Sequence, residues 1–164
     1  MVADTPASFL TLPSELRNGI YELILLHHEP IKCAPGLLRA NNFIHGEASP
    51  LFYGQNRFSF IRTTPEEIAS FLNQIGSRNT GYIRHILIDF PEFLYLDPGD
   101  ITHEEDSVDI LANIWNWCTN LSTLTTSLYS TNAMEARLGN LEHNTVSNEA
   151  LKLVDNHFRA ISSL

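Results

Sequence analysis

Apolar residues recur along this chain with two periods, and the change from one to the other divides it. Leu16, Ile20, Leu23 and Ile24 fall at helical spacing, predicting an amphipathic helix from about Pro13 or Ser14 to Leu26. Pro13 has the fixed φ of a first helical turn, and Glu15 sits where the helix dipole favours negative charge. Gly19 inside the helix costs on the order of 1 kcal/mol relative to alanine, so tertiary contacts are expected to hold it more than propensity does. A second helical segment is predicted from Gly36 to about Tyr53, with Leu37, Leu38, Asn41, Ile44, Ala48, Leu51 and Phe52 on its apolar face. Pro50 should kink or restart it, and Gly54 closes it.

The period then shortens to two. Asn56 to Arg62 alternates as a strand does. Thr64-Pro65-Glu66-Glu67 is a capping box with proline at the first helical position, followed by Ile68, Phe71, Leu72 and Ile75 until Gly76 stops the helix. Arg84 to Phe90 reads as a mostly buried strand ended by Pro91, and Glu92 to Asp100 as a loop. Thr102-His103-Glu104-Glu105 is a second candidate capping box, opening a helix with Val108, Leu111, Ala112, Trp115 and Cys118 on one face. Trp115 is expected inside and Trp117 nearer the edge. Leu121 to Leu128 is a third strand, Ser130 to Thr145 a polar loop, and the last helix starts near Ser147 with Leu151, Val154, Phe158 and Ile161 on its face.

Strands alternating with helices predict an α/β fold with a small parallel or mixed sheet, an α+β arrangement staying open. The 164 residues fit a single domain, with a helical segment over 9–62 and an α/β segment over 63–164. With 43% hydrophobic and 18% charged residues, neither disorder nor a membrane protein is indicated, and the apolar run Leu23 to Leu26 is far too short to span a bilayer. The start, Met1 to Pro6, lacks the features of a secretory signal, so an intracellular protein of cytoplasm or nucleus is expected.

The net charge of −9 is local. Asp89, Glu92, Asp97, Asp100, Glu104, Glu105, Asp106, Asp109 and Glu135 all lie between Arg84 and Arg137, an interval with no Lys or Arg. Phosphate backbones would be repelled there, which argues against nucleic acid as a partner. The interval lacks the spacing of an EF-hand, Cys33 and Cys118 form no Cys-x-x-Cys unit, and His27-His28 has no further ligand near in sequence, so no metal or other cofactor is expected. Paired carboxylates at Glu66-Glu67 and Glu104-Glu105-Asp106 suit helix starts. His85 reads as a strand histidine, and no catalytic residue is assigned.

The succession Leu12-Pro13-Ser14-Glu15-Leu16-Arg17, then Ile20-Tyr21 and Ile24, resembles the first helix of the F-box-like families of filamentous fungi. Leu37-Leu38-Arg39, Glu47-Ala48 and Tyr53-Gly54-Gln55-Asn56-Arg57-Phe58-Ser59-Phe60 resemble their second half, so the resemblance covers residues 9–62. Asn41-Asn42 stands in the neighbourhood where those families commonly carry Cys-Arg; a buried Asn41 would need hydrogen-bond partners or cost roughly 1–3 kcal/mol. Cys118 to Leu124 is similar to the junction of a leucine-rich repeat, without a regular repeat. As stacked end units normally need capping, a further strand or cap is expected after Leu164, as in a truncated chain.

The resemblance implies a non-enzymatic protein-interaction adaptor, a substrate receptor that docks on the Skp-type subunit of a cullin ubiquitin ligase. Leu12, Pro13, Leu16, Ile20 and Ile24 would supply the docking surface, with Glu15 helping to set the helix start. Asp97, Asp100, Glu104, Glu105, Asp106, Asp109 and Trp117 form a candidate surface for a target protein. Two alternatives stay open. The same apolar stripe could pack inward, making the protein a scaffold or interaction module with no ligase link, or distant residues could assemble an enzyme site that no motif reveals.

Overall fold

Helix α1 (Ser14–Leu25) is the first α-helix, entered through a 3-10 turn at Phe9–Thr11. The computed structural model describes residues 8–31, 36–39, 41–141 and 144–162, and they form the mixed α/β fold that the alternating pattern predicts. Cys33 lies outside the described residues, as do the side chains of His157 and Ile161.

The second helical segment divides in two. A 3-10 turn at Gly36–Arg39 precedes α2 (Asn42–Gln55), and Asn41 is the cap between them. Its side chain accepts the Ile44 N–H at 2.8 Å and it is exposed, so it is not a core residue in need of a partner. Pro50 does not restart the helix; α2 runs through it with Pro50 on the exposed side. Behind that side, Ala48, Phe52 and Tyr53 are buried.

Strands β1 (Arg57–Ser59), β2 (His85–Ile88) and β5 (Thr123–Thr126) make a parallel sheet in the order β1-β2-β5. Phe58, Ile86 and Leu124 are in register across it, and the first two are fully buried. They pack with Ile68 and Leu72 of α3 (Pro65–Ile75) and Leu111 and Ile114 of α5 (Glu105–Trp117), two helices that touch each other. The capping box of α3 forms as the sequence predicts, with the Glu67 N–H donating to Thr64 Oγ1 and the Thr64 N–H to the Glu67 carboxylate. Gly76 ends α3 at φ +81°, a conformation open to glycine, and the short α4 (Ser77–Thr80) follows.

Several expectations for the second half are corrected. Residues 92–100 are not a loop: β3 (Phe93–Asp97) and β4 (Asp100–His103) form an antiparallel hairpin whose turn uses Pro98 and Gly99 at φ +86°. Thr102 therefore belongs to a strand and caps nothing; Glu104 is the N-cap of α5, with no side-chain cap bond. Residues 130–145 are not a loop either, since α6 (Leu128–Gly139) occupies most of them and α7 (Asn144–Ser162) begins before Ser147. Met134, Leu138, Ala150 and Val154 from these helices enclose Phe93 of the hairpin in a second, smaller core, while Leu151 faces solvent. On α5 the buried positions are Leu111 and Ile114, followed by Cys118 at the C-cap, with Val108 and Ala112 exposed. Trp117, not Trp115, packs against the main core.

Candidate functional site

Helix α1 carries different chemistry on its two sides. Arg17, Tyr21 and Leu25 face inward and are buried, Leu25 and Tyr21 completely. Leu16 is 57% exposed, Leu23 85% and Ile24 54%, and Ile20 is half-buried. These four share a side by helical spacing, so they form a continuous apolar stripe open to solvent.

A guanidinium can take an inward position only when its donors are satisfied. Arg17 Nε donates to Glu47 Oε2 at 2.9 Å and Nη2 to Oε1 at 2.5 Å, a two-pronged pair across α1 and α2, while Nη1 donates to the Leu12 carbonyl. Arg17 also lies 5.0 Å over the Phe43 ring. The Tyr21 hydroxyl donates to Glu47 Oε2 at 3.2 Å, and Phe9 packs edge-on to Tyr21 at 5.5 Å. The hydrogen bond from Arg17 holds the Glu47 carboxyl below the usual carboxylate range and, reciprocally, raises the guanidinium. A polar clamp thus fixes the inner side of α1 and turns the leucine side outward.

The far ends of both helices meet at Asn56, which is 1% exposed. Its Nδ2 donates to the carbonyls of Leu25 and Phe52 at 2.8 and 2.9 Å, and its Oδ1 accepts the His27 N–H at 2.8 Å. One amide thereby pairs the Leu25 carbonyl and the His27 N–H at the end of α1 and adds a second donor to the Phe52 carbonyl, which already accepts the Asn56 N–H.

Of the sequence-predicted docking residues, Leu16 and Ile24 lie on the open stripe, Ile20 partly so, and Pro13 and Glu15 are exposed at its start. Pro13 occupies the N-cap position, one place before the first helical residue. Leu12 is half-buried and serves Arg17 through its carbonyl. Leu23, on the same helical spacing, and Phe43, 49% exposed beside Arg17, extend the apolar surface.

The acidic candidates lie elsewhere. Asp97, Asp100, Glu104, Glu105, Asp106 and Asp109 are all exposed, around the hairpin and the first turns of α5. Phe93 stacks on His103 at 4.5 Å, and Arg137 Nη1 donates to the Phe93 carbonyl at 2.9 Å, so the hairpin is anchored to α6. Trp117 is not part of this surface, because its ring joins the main core. Among the described residues no group of three His, Cys, Asp or Glu side chains could hold a metal ion. Burial pushes the Cys118 thiol up to about 12, which leaves it unreactive at neutral pH.

No family model, curated protein or solved structure matches the chain. Among the described residues no helix is long and apolar enough to cross a membrane.

Proposed function

We propose that the protein is an F-box-like adaptor of cytoplasm or nucleus whose α1 and the start of α2 dock on the Skp-type subunit of a cullin ubiquitin ligase, with the α/β part holding a target protein. The observation that carries this reading is the outward stripe of Leu16, Ile20, Leu23 and Ile24, with Phe43 beside it. An apolar surface that the fold leaves open, on a helix that a part-buried ion pair helps to hold in place, has the properties of a partner site. The inward-packing alternative would bury Leu16, Leu23 and Ile24, and these three are exposed. The acidic hairpin offers a target surface for a basic partner by charge.

The test is binding of the purified chain to its cognate Skp subunit, measured by calorimetry for wild type, Leu16→Glu and Leu23→Glu. Both positions are exposed, so both variants are expected to fold. Binding by wild type with a loss of at least about tenfold in each variant supports the adaptor. Absence of binding by a folded wild-type chain would remove the ligase connection and leave an interaction module of another kind.

A further inference from the structure

The parallel sheet has two unlike edges. Outside β1, the Ile31 N–H donates to the Arg57 carbonyl and the Ile31 carbonyl accepts the Ser59 N–H, both at 2.8 Å, with Pro30 next in the chain. Outside β5 there is no such neighbour. The Thr123 and Ser127 N–H groups donate to the Arg84 and Ile88 carbonyls at 2.9 and 2.8 Å, so by strand alternation the N–H and C=O of Leu124 and Thr126 point away from β2. Among the described residues no strand lies on that side and no backbone group bonds them there.

Proteins protect an open edge with a charge, a proline, a bulge, a covering element or a short strand. Beyond being short, β5 has little of this: Thr123-Leu124-Thr125-Thr126 carries no charge or proline, pairs with β2 without a register shift, and leaves Thr123 and Thr125 exposed. Its surroundings share the character. No Asp, Glu, Lys, Arg or His occurs from Ile110 to Met134, although the chain carries a net charge of −9. Directly after the strand, Leu128 is 75% exposed and Tyr129 77%. Depletion of charge beside an exposed aromatic is the composition of an interface centre.

Charge also selects the occupant. Exposed Arg57 and Arg84 stand where β1 and β2 begin, while Asp97, Asp100, Glu104, Glu105 and Asp106 gather beyond the end of β2, outnumbering Arg62 and Arg137 there. The sheet thus runs from a basic end to an acidic end, with a charge-free edge along its side. That edge gives an oppositely charged partner nothing to hold. It suits a second copy laid antiparallel, since the basic end of each then lies toward the acidic end of the other and the two acidic ends lie apart.

We propose that the β5 edges of two copies pair antiparallel about a two-fold axis at Thr125, joining the two sheets into one. Leu124 then exchanges N–H and C=O bonds with Thr126 of the other copy, and Thr125 faces its own counterpart. Leu128 and Tyr129 flank the joint. The inference is independent of the docking reading, because no residue of α1 or α2 takes part.

The test is sedimentation equilibrium of the full chain, with backbone amide exchange measured at low and high concentration. A reversible dimer with a Kd on the order of tens of micromolar is expected, as for a small interface. The Leu124 and Thr126 amides, open in the monomer, should gain protection as concentration rises. Thr126→Pro removes an outward N–H and no bond to β2, and should weaken the dimer at least about tenfold. Thr125 is exposed, so Thr125→Lys and Thr125→Asp keep the fold even where the proline perturbs it. Each alone should dimerise several-fold more weakly, and an equimolar mixture should recover a heterodimer, because this register sets position 125 against itself. A chain still monomeric at about a millimolar overturns the proposal and leaves the edge to a strand of another protein. A dimer whose Leu124 and Thr126 amides stay unprotected, or a mixture no tighter than its parts, overturns it as well.

Discussion

The N-terminal helix pair and the sheet body share one apolar core, and the pair adds a polar clamp to it. In the body, registered apolar residues such as Phe58 and Ile86 meet Ile68, Leu72 and Ile114, and burial supplies the cohesion. In the helix pair, a good part of the apolar surface of α1 points to solvent; Tyr21 and Leu25 still join Ala48 and Phe52 in that same core, and Arg17, Glu47 and Asn56 add directional polar bonds to it. A helix held by directional polar bonds can keep its leucines free for something else. A helix held by its leucines cannot.

The largest expected effect is in the body. Ile86 is fully buried at the centre of the sheet, and Ile86→Ala should destabilise the chain by about 4 kcal/mol in urea denaturation. Leu23→Glu, 85% exposed, should change stability by no more than about 0.5 kcal/mol. If the two variants proved comparably destabilising, the outward stripe would be packed in solution and the contrast between the regions would fail.

Next in size is the joint between the regions. Asn56→Leu keeps a similar volume but strips the side-chain partner from the Leu25 carbonyl and the His27 N–H, the Phe52 carbonyl keeping its bond from the backbone N–H of residue 56. A loss of about 2 kcal/mol is expected, accompanied by faster hydrogen exchange at the C-terminal turn of α1 and not in β2. Uniform acceleration across both regions would mean that the pair and the body open as one unit.

What was legible in the sequence follows the range of the interaction. The Thr64–Glu67 box spans one helical turn, so its residue types announce it, and the three parallel strands showed in short apolar alternation. The hairpin did not, because Phe93 is buried by α6 and α7 while Leu94 and Tyr95 are exposed, a pattern set by distant helices and a register shift between Phe93 and Tyr95. Helix α6 was hidden by Ser, Thr and Asn in its first turns; only Met134 and Leu138 face the core. In the candidate site the stripe was visible by spacing, but its direction was not. Whether Leu16 or Arg17 turns inward depends on Glu47, thirty positions away in α2.

The smallest effect separates the two regions by pH. Because Arg17 holds the Glu47 carboxyl below its ordinary range, the folded state binds this proton less readily than the unfolded chain does. The stabilisation is therefore fully present above the ordinary glutamate range and is lost as pH falls through the depressed folded value. The guanidinium, already raised, stays charged throughout and adds no pH dependence of its own there. Acid should accordingly loosen α1 from α2 before it touches the contacts of Phe58 and Ile86, none of which titrates. Site-resolved hydrogen exchange between neutral pH and the acid side of the carboxylate range is expected to show α1 amides losing protection while β2 amides keep theirs. Glu47→Gln should show the reduced α1 protection already at neutral pH and lack the acid-dependent step. An unchanged acid step in Glu47→Gln would assign the loosening to other carboxylates, and the clamp would then not be what keeps the leucine side of α1 turned out.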